Sequence, residues 1–243
     1  MVHSTGEPKR RFHRSPVIPP LMGPTPKPVS EQIIEALAAV PVSDLSDAVG
    51  RLYTMSARMQ PIYSPMRRVI GTALTVKAAP GDNWAVHGAL RLAGAGHVLV
   101  IDWRSTSERC GAGVSAPGPA IRRGMAGVVV DGAWRDVPEM RALAFPMIAT
   151  GITAFSPPKN ALGEINVPVS CGDVVVCPGD LIVGDSDGTV VVPRRYIGAV
   201  IDGLQVHTPI QSSLDEDESQ ENVRGIADDY WDQFDRMGGE RLT

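Results

Sequence analysis

The stretch that most constrains the fold is residues 124–136, which read GMAGVVVDGAWRD. Three consecutive valines bounded by glycines predict a short, fully buried strand of the kind found in parallel sheets. Asp136, followed by Pro138 and by Glu139 three residues on, predicts a helix that begins with Asp136 as its N-cap. Arg135 and Asp136 are therefore expected where a buried strand ends and a helix begins, which is where ligands bind in open α/β sheets.

The segments before this stretch alternate between helix and strand patterns. Apolar positions at helical spacing predict helices over residues 30–40 and 84–93. Residues 43–49 predict a shorter helix, capped by Ser43 or Ser46. This alternation predicts an α/β fold with a mainly parallel sheet. The remaining predicted elements are strands over residues 69–79, 97–101, 145–150, 164–169, 173–177, 181–183 and 189–192, and helices over residues 119–123, 136–143 and from residue 196 onward.

The chain has ends that differ from its middle. Residues 1–29 are basic and rich in proline, which predicts an extended arm. Residues 30–210 predict a single domain, since this length is enough for one sizeable core. Residues 211–243 predict an acidic linker and a final helix over residues 228–237, with Tyr230, Trp231 and Phe234 on its apolar face.

Composition excludes several classes of protein. A net charge of −4 gives no basic surface for nucleic acid or for an anionic membrane. The three cysteines form no even disulfide framework and no metal-binding spacing, which favours a reducing cytoplasm. The basic residues near the N-terminus lead into prolines rather than an apolar stretch, so no signal peptide is expected.

Four other motifs have ordinary structural interpretations. GAGH at residues 94–97 follows a helix and precedes a strand, the reverse of the order in a dinucleotide-binding loop. GDSDG at residues 184–188 has two carboxylates but lacks the other ligands of a calcium loop, so a tight turn is favoured. His87 lies among Ala and Leu in a predicted helix and is interpreted as structural. Cys110 has no histidine near it in sequence that would activate it as a nucleophile.

Residues 102–118 predict an irregular, glycine-rich loop that carries Arg104 and Arg109. Its backbone amides would suit an anion or a carboxylate, but a plain surface loop fits the pattern equally well.

Arg135 and Asp136 also have two interpretations on pattern alone. Asp136 is either a helix cap beside a surface arginine or part of a functional site.

Six segments resemble the RraA-like family, which includes class II pyruvate aldolases acting on 4-hydroxy-4-methyl-2-oxoglutarate and 4-carboxy-4-hydroxy-2-oxoadipate. The resemblance covers residues 30–195. It implies a single α/β domain of the α/β/α, swivelling β/β/α type that assembles as a homotrimer or a dimer of trimers. The matching segments are SDLSDAVGR, GDNWAVHGAL, HVLVID, RRGMAGVVVDGAWRD, FPMIATG and GEINVPVSCGDVVVCPGDLIVGDSDGTVVVP.

The resemblance also implies roles for individual residues. Arg135 would bind the pyruvyl end of a 2-oxo acid substrate, and Asp136 would hold Mg²⁺ or Mn²⁺. A hard cation of this kind takes oxygen ligands and stabilises the charge left when a bond breaks beside a carbonyl. The planar guanidinium of arginine suits a carboxylate. The family's loop segment falls on Gly113, Val114, Ser115 and Ala116, whose amides would contact the substrate.

One position departs from the aldolase pattern. The aldolases have an acidic residue twenty-one positions before the arginine, where it orders water and helps to move protons. Val114 occupies that position here, and a valine can do neither. Three alternatives follow: Glu108 or Asp102, in the same predicted loop, replaces it; the aldol activity is weak or lost; or the chemistry has changed.

Two functions follow from the pattern. The first is a divalent-metal-dependent lyase that cleaves a 4-hydroxy-2-oxo acid to release pyruvate, decarboxylates oxaloacetate, or does both. The second is a non-catalytic RraA-like regulator or small-acid binder. Arg135 and Asp136 favour the first function, and Val114 favours the second.

Overall fold

The computed structural model describes residues 18–206, 230–233 and 236–237. The chain divides into two compact units, residues 1–200 and 201–243. Of the predicted C-terminal helix, residues 230–233 are helical, and Phe234 lies outside the described residues, as does the predicted acidic linker. The predicted boundaries at residues 30 and 210 stay predictions.

The described helices and strands follow the predicted order. The helices are α1 (Glu31–Ala38), α2 (Val42–Ala48), α3 (Trp84–Leu92), α4 (Gly118–Arg122), α5 (Val137–Ala142) and α6 (Ile197–Val206), with a 3₁₀ turn at Arg194–Tyr196. The strands are β1 (Gln60–Pro61), β2 (Val69–Lys77), β3 (His97–Cys110), β4 (Gly127–Trp134), β5 (Met147–Ile152), β6 (Glu164–Ile165), β7 (Val169–Cys171), β8 (Val174–Val176), β9 (Leu181–Gly184) and β10 (Thr189–Val192).

Eight of these strands form one mixed sheet. Its order is β1-β5-β4-β3-β2-β9-β10, and β6 pairs with the end of β2. The four central strands, β2 to β5, are parallel to one another, while β1, β6, β9 and β10 are antiparallel to the strands they pair with. The predicted parallel strands are therefore confirmed, but the later strands make the sheet mixed rather than mainly parallel.

The two faces of the sheet are covered by different layers. Helices α3, α4 and α5 connect the parallel strands and pack on one face, through residues such as Val86, Ala120 and Met140. The hairpin of β7 and β8 packs on the other face, together with Met55 and Met59. The architecture is therefore a hairpin, a sheet and a helical layer. All eight residues of β4 are buried between the outer layers.

A cluster of charged residues joins the hairpin layer to the sheet. Asp131 on β4 is only 3% exposed and accepts hydrogen bonds from Ser105 Oγ, Arg58 Nη2 and the Gly172 amide, at 2.9, 3.1 and 3.0 Å. Arg58 also pairs through two nitrogens with Asp173 in the hairpin turn. The hydrogen bond to the Asp173 carboxylate raises the pKa of Arg58; burial lowers that pKa, and Asp131 raises it further.

The prediction of an irregular loop from residue 102 was wrong for its first half. Strand β3 continues to Cys110, but its register against β4 shifts twice: Asp102 pairs with Asp131, Thr106 with Gly132, and Cys110 with Ala133. Such shifts mark bulges, in which extra residues of one strand face few residues of its neighbour. The sequence of the bulged part therefore lacks the period of a regular strand.

A buried tryptophan explains one of these shifts. The Trp103 indole is fully buried and donates from Nε1 to the Asp82 carbonyl at 2.8 Å. A Cβ atom added at Gly111 would lie 1.1 Å from the indole, and one added at Gly132 would lie 2.9 Å from it. The bulge thus places the Trp103 side chain in a space that is free because Gly111 and Gly132 have no side chains.

Two smaller predictions were also wrong. Helix α2 begins after Pro41, so Ser43 and Ser46 lie inside the helix and neither caps it; Ser43 bonds Asp44 and Ser46 bonds Thr54. The strand predicted over residues 164–169 is two strands, β6 and β7, which pair with different partners. Strand β1 lies in a region for which no element was predicted.

Candidate functional site

Arg135 and Asp136 lie where the sequence predicts, between the end of β4 and the start of α5. Asp136 occupies the N-cap position but makes no capping hydrogen bond, so the predicted capping role of its side chain was wrong. Its backbone is left-handed, with φ 60°. This conformation turns the carboxylate away from the helix, and Oδ2 accepts a hydrogen bond from the Val114 amide at 2.9 Å.

Gly113 is in direct contact with the pair. A Cβ atom built on Gly113 would lie 2.0 Å from Asp136 Oδ2 and 2.9 Å from Arg135 Nε. Only a residue without a side chain leaves both groups in place. The structure therefore brings together Gly113, Val114, Arg135 and Asp136, which the sequence predicts as one site.

The guanidinium of Arg135 is only partly engaged. Its Nη1 donates to Ser156 Oγ at 2.6 Å, and its Nε lies 3.7 Å from Asp136 Oδ1. Nε is buried and makes no hydrogen bond. Buried donors are usually satisfied, so an arginine with an unused donor is able to bind a carboxylate.

The segment that supplies Ser156 was not part of the predicted site. Residues 153–163 connect β5 to β6, and we call them the site loop. Asp82, which is 3% exposed, anchors this loop by accepting hydrogen bonds from the amides of Asn160 and Ala161, at 2.6 and 3.1 Å. These residues have no periodic pattern in the sequence, and their proximity to Arg135 depends on contacts between residues far apart in the chain.

The predicted backbone cradle at residues 113–116 is partly occupied by internal bonds. The Val114 amide donates to Asp136, and the Ala116 amide donates to the Gly113 carbonyl at 3.2 Å. Within the described part of the chain, the amides of Gly113 and Ser115 have no hydrogen-bond partner. These two amides are the ones left for a substrate carboxylate.

The side chain of Val114 places no polar group near the carboxylate of Asp136. It is half-buried and packs against the core cluster beneath helices α3 to α5. Position 114 therefore contributes an amide to the site and an apolar side chain to the core. No proton-transfer group enters the site from this position.

The two predicted substitutes for the missing acid have different surroundings. Asp102 is buried, and its oxygens accept hydrogen bonds from the amides of Arg104 and Ser170, at 3.0 and 3.3 Å. Because Ser170 belongs to β7, Asp102 faces the hairpin layer. Glu108 is exposed on β3, close in sequence to the site.

Two titratable residues near the site have shifted pKa values. Cys110 is fully buried, and burial raises the pKa of its thiol; the nearby Arg135 lowers that pKa and Asp136 raises it. A buried thiol with a raised pKa is a poor nucleophile, in line with the sequence prediction. Burial, and secondly the charge of Lys159, lower the pKa of His87.

The donor set at Asp136 fits a hydrated divalent cation. The carboxylate is about one-third exposed, and its Oδ1 makes no hydrogen bond to another described residue. Among the residues that the structure describes, no group of three or more His, Cys, Asp or Glu side chains is placed to hold a metal ion. Mg²⁺ often binds through only one or two carboxylates, keeping several waters and taking further oxygens from the substrate.

The GAGH and GDSDG segments have structural roles, as the sequence predicts. GAGH lies between α3 and β3, and the imidazole of His97 bonds the Gly94 amide and the Pro26 carbonyl. GDSDG joins β9 to β10, with the Asp185 amide bonded to the Gly188 carbonyl at 3.0 Å. Within the described ranges, no helix is long and apolar enough to cross a bilayer.

Comparison with known proteins places the chain in a family. The RraA-like family, described as Aldolase/RraA, matches residues 42–191. A protein of Halalkalibacterium halodurans, named "Putative 4-hydroxy-4-methyl-2-oxoglutarate aldolase", is 42% identical over 161 residues, which cover 66% of this chain and 76% of the relative. The chain therefore belongs to the RraA-like family, and the predicted fold class is confirmed.

Solved structures agree with this assignment. Streptomyces coelicolor RraAS2, described as an unusual member of the RNase ES inhibitor RraA protein family, matches with a TM-score of 0.65 and 27% identity, over 81% of this chain and 97% of RraAS2. The RNA-processing inhibitor RraA from Thermus thermophilus matches with a TM-score of 0.58 and 30% identity, over 63% of this chain and 93% of that one. Proteins named as aldolases and proteins named as inhibitors are thus both similar to this chain.

Proposed function

We propose that this protein is a carbon–carbon lyase that releases pyruvate from 2-oxo acids, with Arg135 and Asp136 as its active residues. The observation that carries this proposal is the arrangement of the pair. Both side chains project from the carboxyl end of a buried central strand, and Gly113 lies against both of them. The relatives named as 4-hydroxy-4-methyl-2-oxoglutarate aldolases support the same chemistry.

Arg135 binds the carboxylate at the pyruvyl end of the substrate. Its Nε is a buried, unused donor, and its Nη1 is held only by the exposed Ser156. A guanidinium presents two parallel N–H groups to a carboxylate, which fixes orientation as well as adding binding energy. Gly113 lies against the pair, and the amides of Gly113 and Ser115 are available to donate hydrogen bonds to the same carboxylate.

Asp136 holds Mg²⁺ or Mn²⁺ in this proposal. Its left-handed backbone and its bond to the Val114 amide fix Oδ2, while Oδ1 makes no hydrogen bond to another described residue and lies 3.7 Å from Arg135 Nε. When bound, such an ion supplies Lewis-acid stabilisation of the negative charge that develops at the 2-oxo group.

The missing acid at position 114 decides which substrates react quickly. Aldol cleavage requires removal of a proton from the 4-hydroxyl group, and a positioned general base typically contributes about 100- to 10,000-fold. The Val114 side chain packs into the core and supplies no base. Decarboxylation of oxaloacetate has no hydroxyl to deprotonate. We therefore infer that this protein decarboxylates oxaloacetate faster than it cleaves 4-hydroxy-2-oxo acids.

The test is pyruvate release from oxaloacetate and from a panel of 4-hydroxy-2-oxo acids. Each acid is assayed with Mg²⁺, with Mn²⁺ and after addition of a chelator. The proposal predicts metal-dependent release, fastest from oxaloacetate. Absence of release from every acid, or release that the chelator does not change, would contradict it.

A second candidate is a non-catalytic role as a regulator or small-acid binder, and Val114 is the observation that favours it. A family member that keeps Arg135 and loses the proton-transfer group retains the means to bind a 2-oxo acid. Saturable binding of pyruvate or oxaloacetate without pyruvate release from any substrate would support this candidate.

We also propose that the chain forms the homotrimer or dimer of trimers expected from the family resemblance. Sedimentation equilibrium on the full chain measures this directly. A monomer at micromolar concentration would contradict the proposal.

A further inference from the structure

A second cation lies beside the proposed substrate anchor. Arg109 is the last residue but one of β3, and its guanidinium stacks on the Phe155 ring, 4.7 Å from the ring centroid. No carboxylate within the described part of the chain forms an ion pair with it. Arg109 is exposed, so its charge faces solvent at the carboxyl-end edge of the sheet. A stacked, unpaired guanidinium is held in place and able to receive an anion.

The site loop places this cation near Arg135. Phe155 carries Arg109 on its ring, and the next residue, Ser156, accepts the hydrogen bond from Arg135 Nη1. The Phe155 carbonyl accepts a hydrogen bond from the Cys110 amide at 3.0 Å. Two consecutive loop residues therefore contact two guanidinium groups, and the Cα atoms of consecutive residues are about 3.8 Å apart.

The pairing of β3 with β4 gives the same placement independently. Cys110 pairs with Ala133, and the Gly111 amide donates to the Ala133 carbonyl at 2.9 Å. The two chains continue side by side until Gly113 contacts Arg135 and Asp136. Arg109 thus lies at the end of the strand next to the one that leads into Arg135.

We propose that Arg109 is a substrate-binding residue that holds the second carboxylate of a dicarboxylic 2-oxo acid whose first carboxylate is bound by Arg135. This inference rests on the proposed function, because it places a 2-oxo acid at Arg135. Arg109 selects dicarboxylates over acids of the same chain length that end in a methyl group. The carboxylate it holds stays with the departing fragment in aldol cleavage.

The test compares the binding of two stable acids that differ only at that end, 2-oxoglutarate and 2-oxopentanoate. Dissociation constants are measured by calorimetry in one Mg²⁺-containing buffer. The proteins are the full-length wild type, Arg109→Gln, Phe155→Leu and Arg91→Gln. Arg91 is an exposed arginine in the last turn of α3, at the opposite edge of the sheet, and serves as the matched control.

We expect the wild type to prefer 2-oxoglutarate, and Arg109→Gln to lose that preference by about tenfold, the effect of one partly exposed charged hydrogen bond. Its affinity for 2-oxopentanoate should not change. Phe155→Leu should lose part of the preference, because Arg109 loses the ring that holds it, and Arg91→Gln should behave as the wild type. An unchanged preference in Arg109→Gln, or a wild type that does not prefer or does not bind the dicarboxylate, would overturn the inference.

Pyruvate release separates this inference from the proposed function. A wild type that releases no pyruvate but binds 2-oxoglutarate through Arg109 would refute the lyase and leave the inference intact. A wild type that releases pyruvate, with equal preference in Arg109→Gln, would refute the inference and leave the lyase intact.

Discussion

Substitution of Gly113 by alanine tests whether the geometry at Asp136 matters for function. The added Cβ would lie 2.0 Å from Asp136 Oδ2, and real Cβ contacts shorter than 3.0 Å essentially do not occur. The oxygen must therefore retreat by about 1 Å, and a displacement of that size in an active site can cost about 100-fold in rate. The carboxylate must also leave its hydrogen bond to the Val114 amide.

The fold should survive this change. The Gly113 backbone is not left-handed, and the atoms that must move are the ends of the Asp136 and Arg135 side chains. We expect Gly113→Ala to reduce metal-dependent pyruvate release by about 100-fold, while the free energy of unfolding falls by about 1–3 kcal/mol, as for an overpacked site.

Gly118→Ala is the matched control for this variant. Gly118 opens helix α4, also has no positive φ, and a Cβ there would meet nothing closer than 3.8 Å. Both variants are assayed for pyruvate release and for unfolding in urea. Full activity in Gly113→Ala would refute the placement of the Asp136 carboxylate, and so would an equal loss in Gly118→Ala.

Three further changes test other parts of the account. Val114→Asp should raise the turnover of aldol cleavage more than that of oxaloacetate decarboxylation, at some cost in stability. Two outcomes would contradict this: no gain in the variant, or a wild-type aldol turnover of already about 10 per second. Asp131→Ala should lower the free energy of unfolding in urea by about 1–3 kcal/mol, because it leaves the buried Gly172 amide without its acceptor while Arg58 keeps Asp173, whereas a near-neutral change would refute the role of that cluster. His87→Gln should make stability less dependent on pH between about pH 5 and 7, because burial lowers the pKa of His87 and the unfolded chain then binds the proton more readily as the pH falls. Urea unfolding at both pH values measures the difference, and equal slopes for wild type and variant would show that His87 is not responsible.

Local sequence patterns were sufficient for the elements that surround Arg135 and Asp136. The valines of β4 form an apolar run that only a buried strand accommodates, and the proline after Asp136 fits the first turn of α5. The same local pattern left the role of the Asp136 side chain open. A helix cap and a site carboxylate look alike in sequence, and the choice between them depends on the Val114 amide, which is 22 residues away.

The bulged part of β3 shows a different limit of sequence reasoning. Its residues lack a strand period because two register shifts let several of them face a single residue of β4. The space for Trp103 requires glycine at both 111 and 132, and Gly111 directly follows β3 whereas Gly132 lies in β4.

The site loop was missed for a related reason. Ser156 and Phe155 reach the site because Asp82 holds the loop through backbone amides, and a backbone contact of this kind has no residue signature. Residues that reach a site through such contacts are identified only from the three-dimensional structure.

The most direct test of the central claim is Mn²⁺-dependent pyruvate release by the wild type and by Asp136→Asn. Asparagine tolerates the left-handed backbone at φ 60° and offers an oxygen to the Val114 amide, so the melting temperature should be nearly unchanged. The account predicts that the wild type releases pyruvate only with metal and that the variant does not release it. Equal Mn²⁺-dependent release by two equally stable proteins would contradict it.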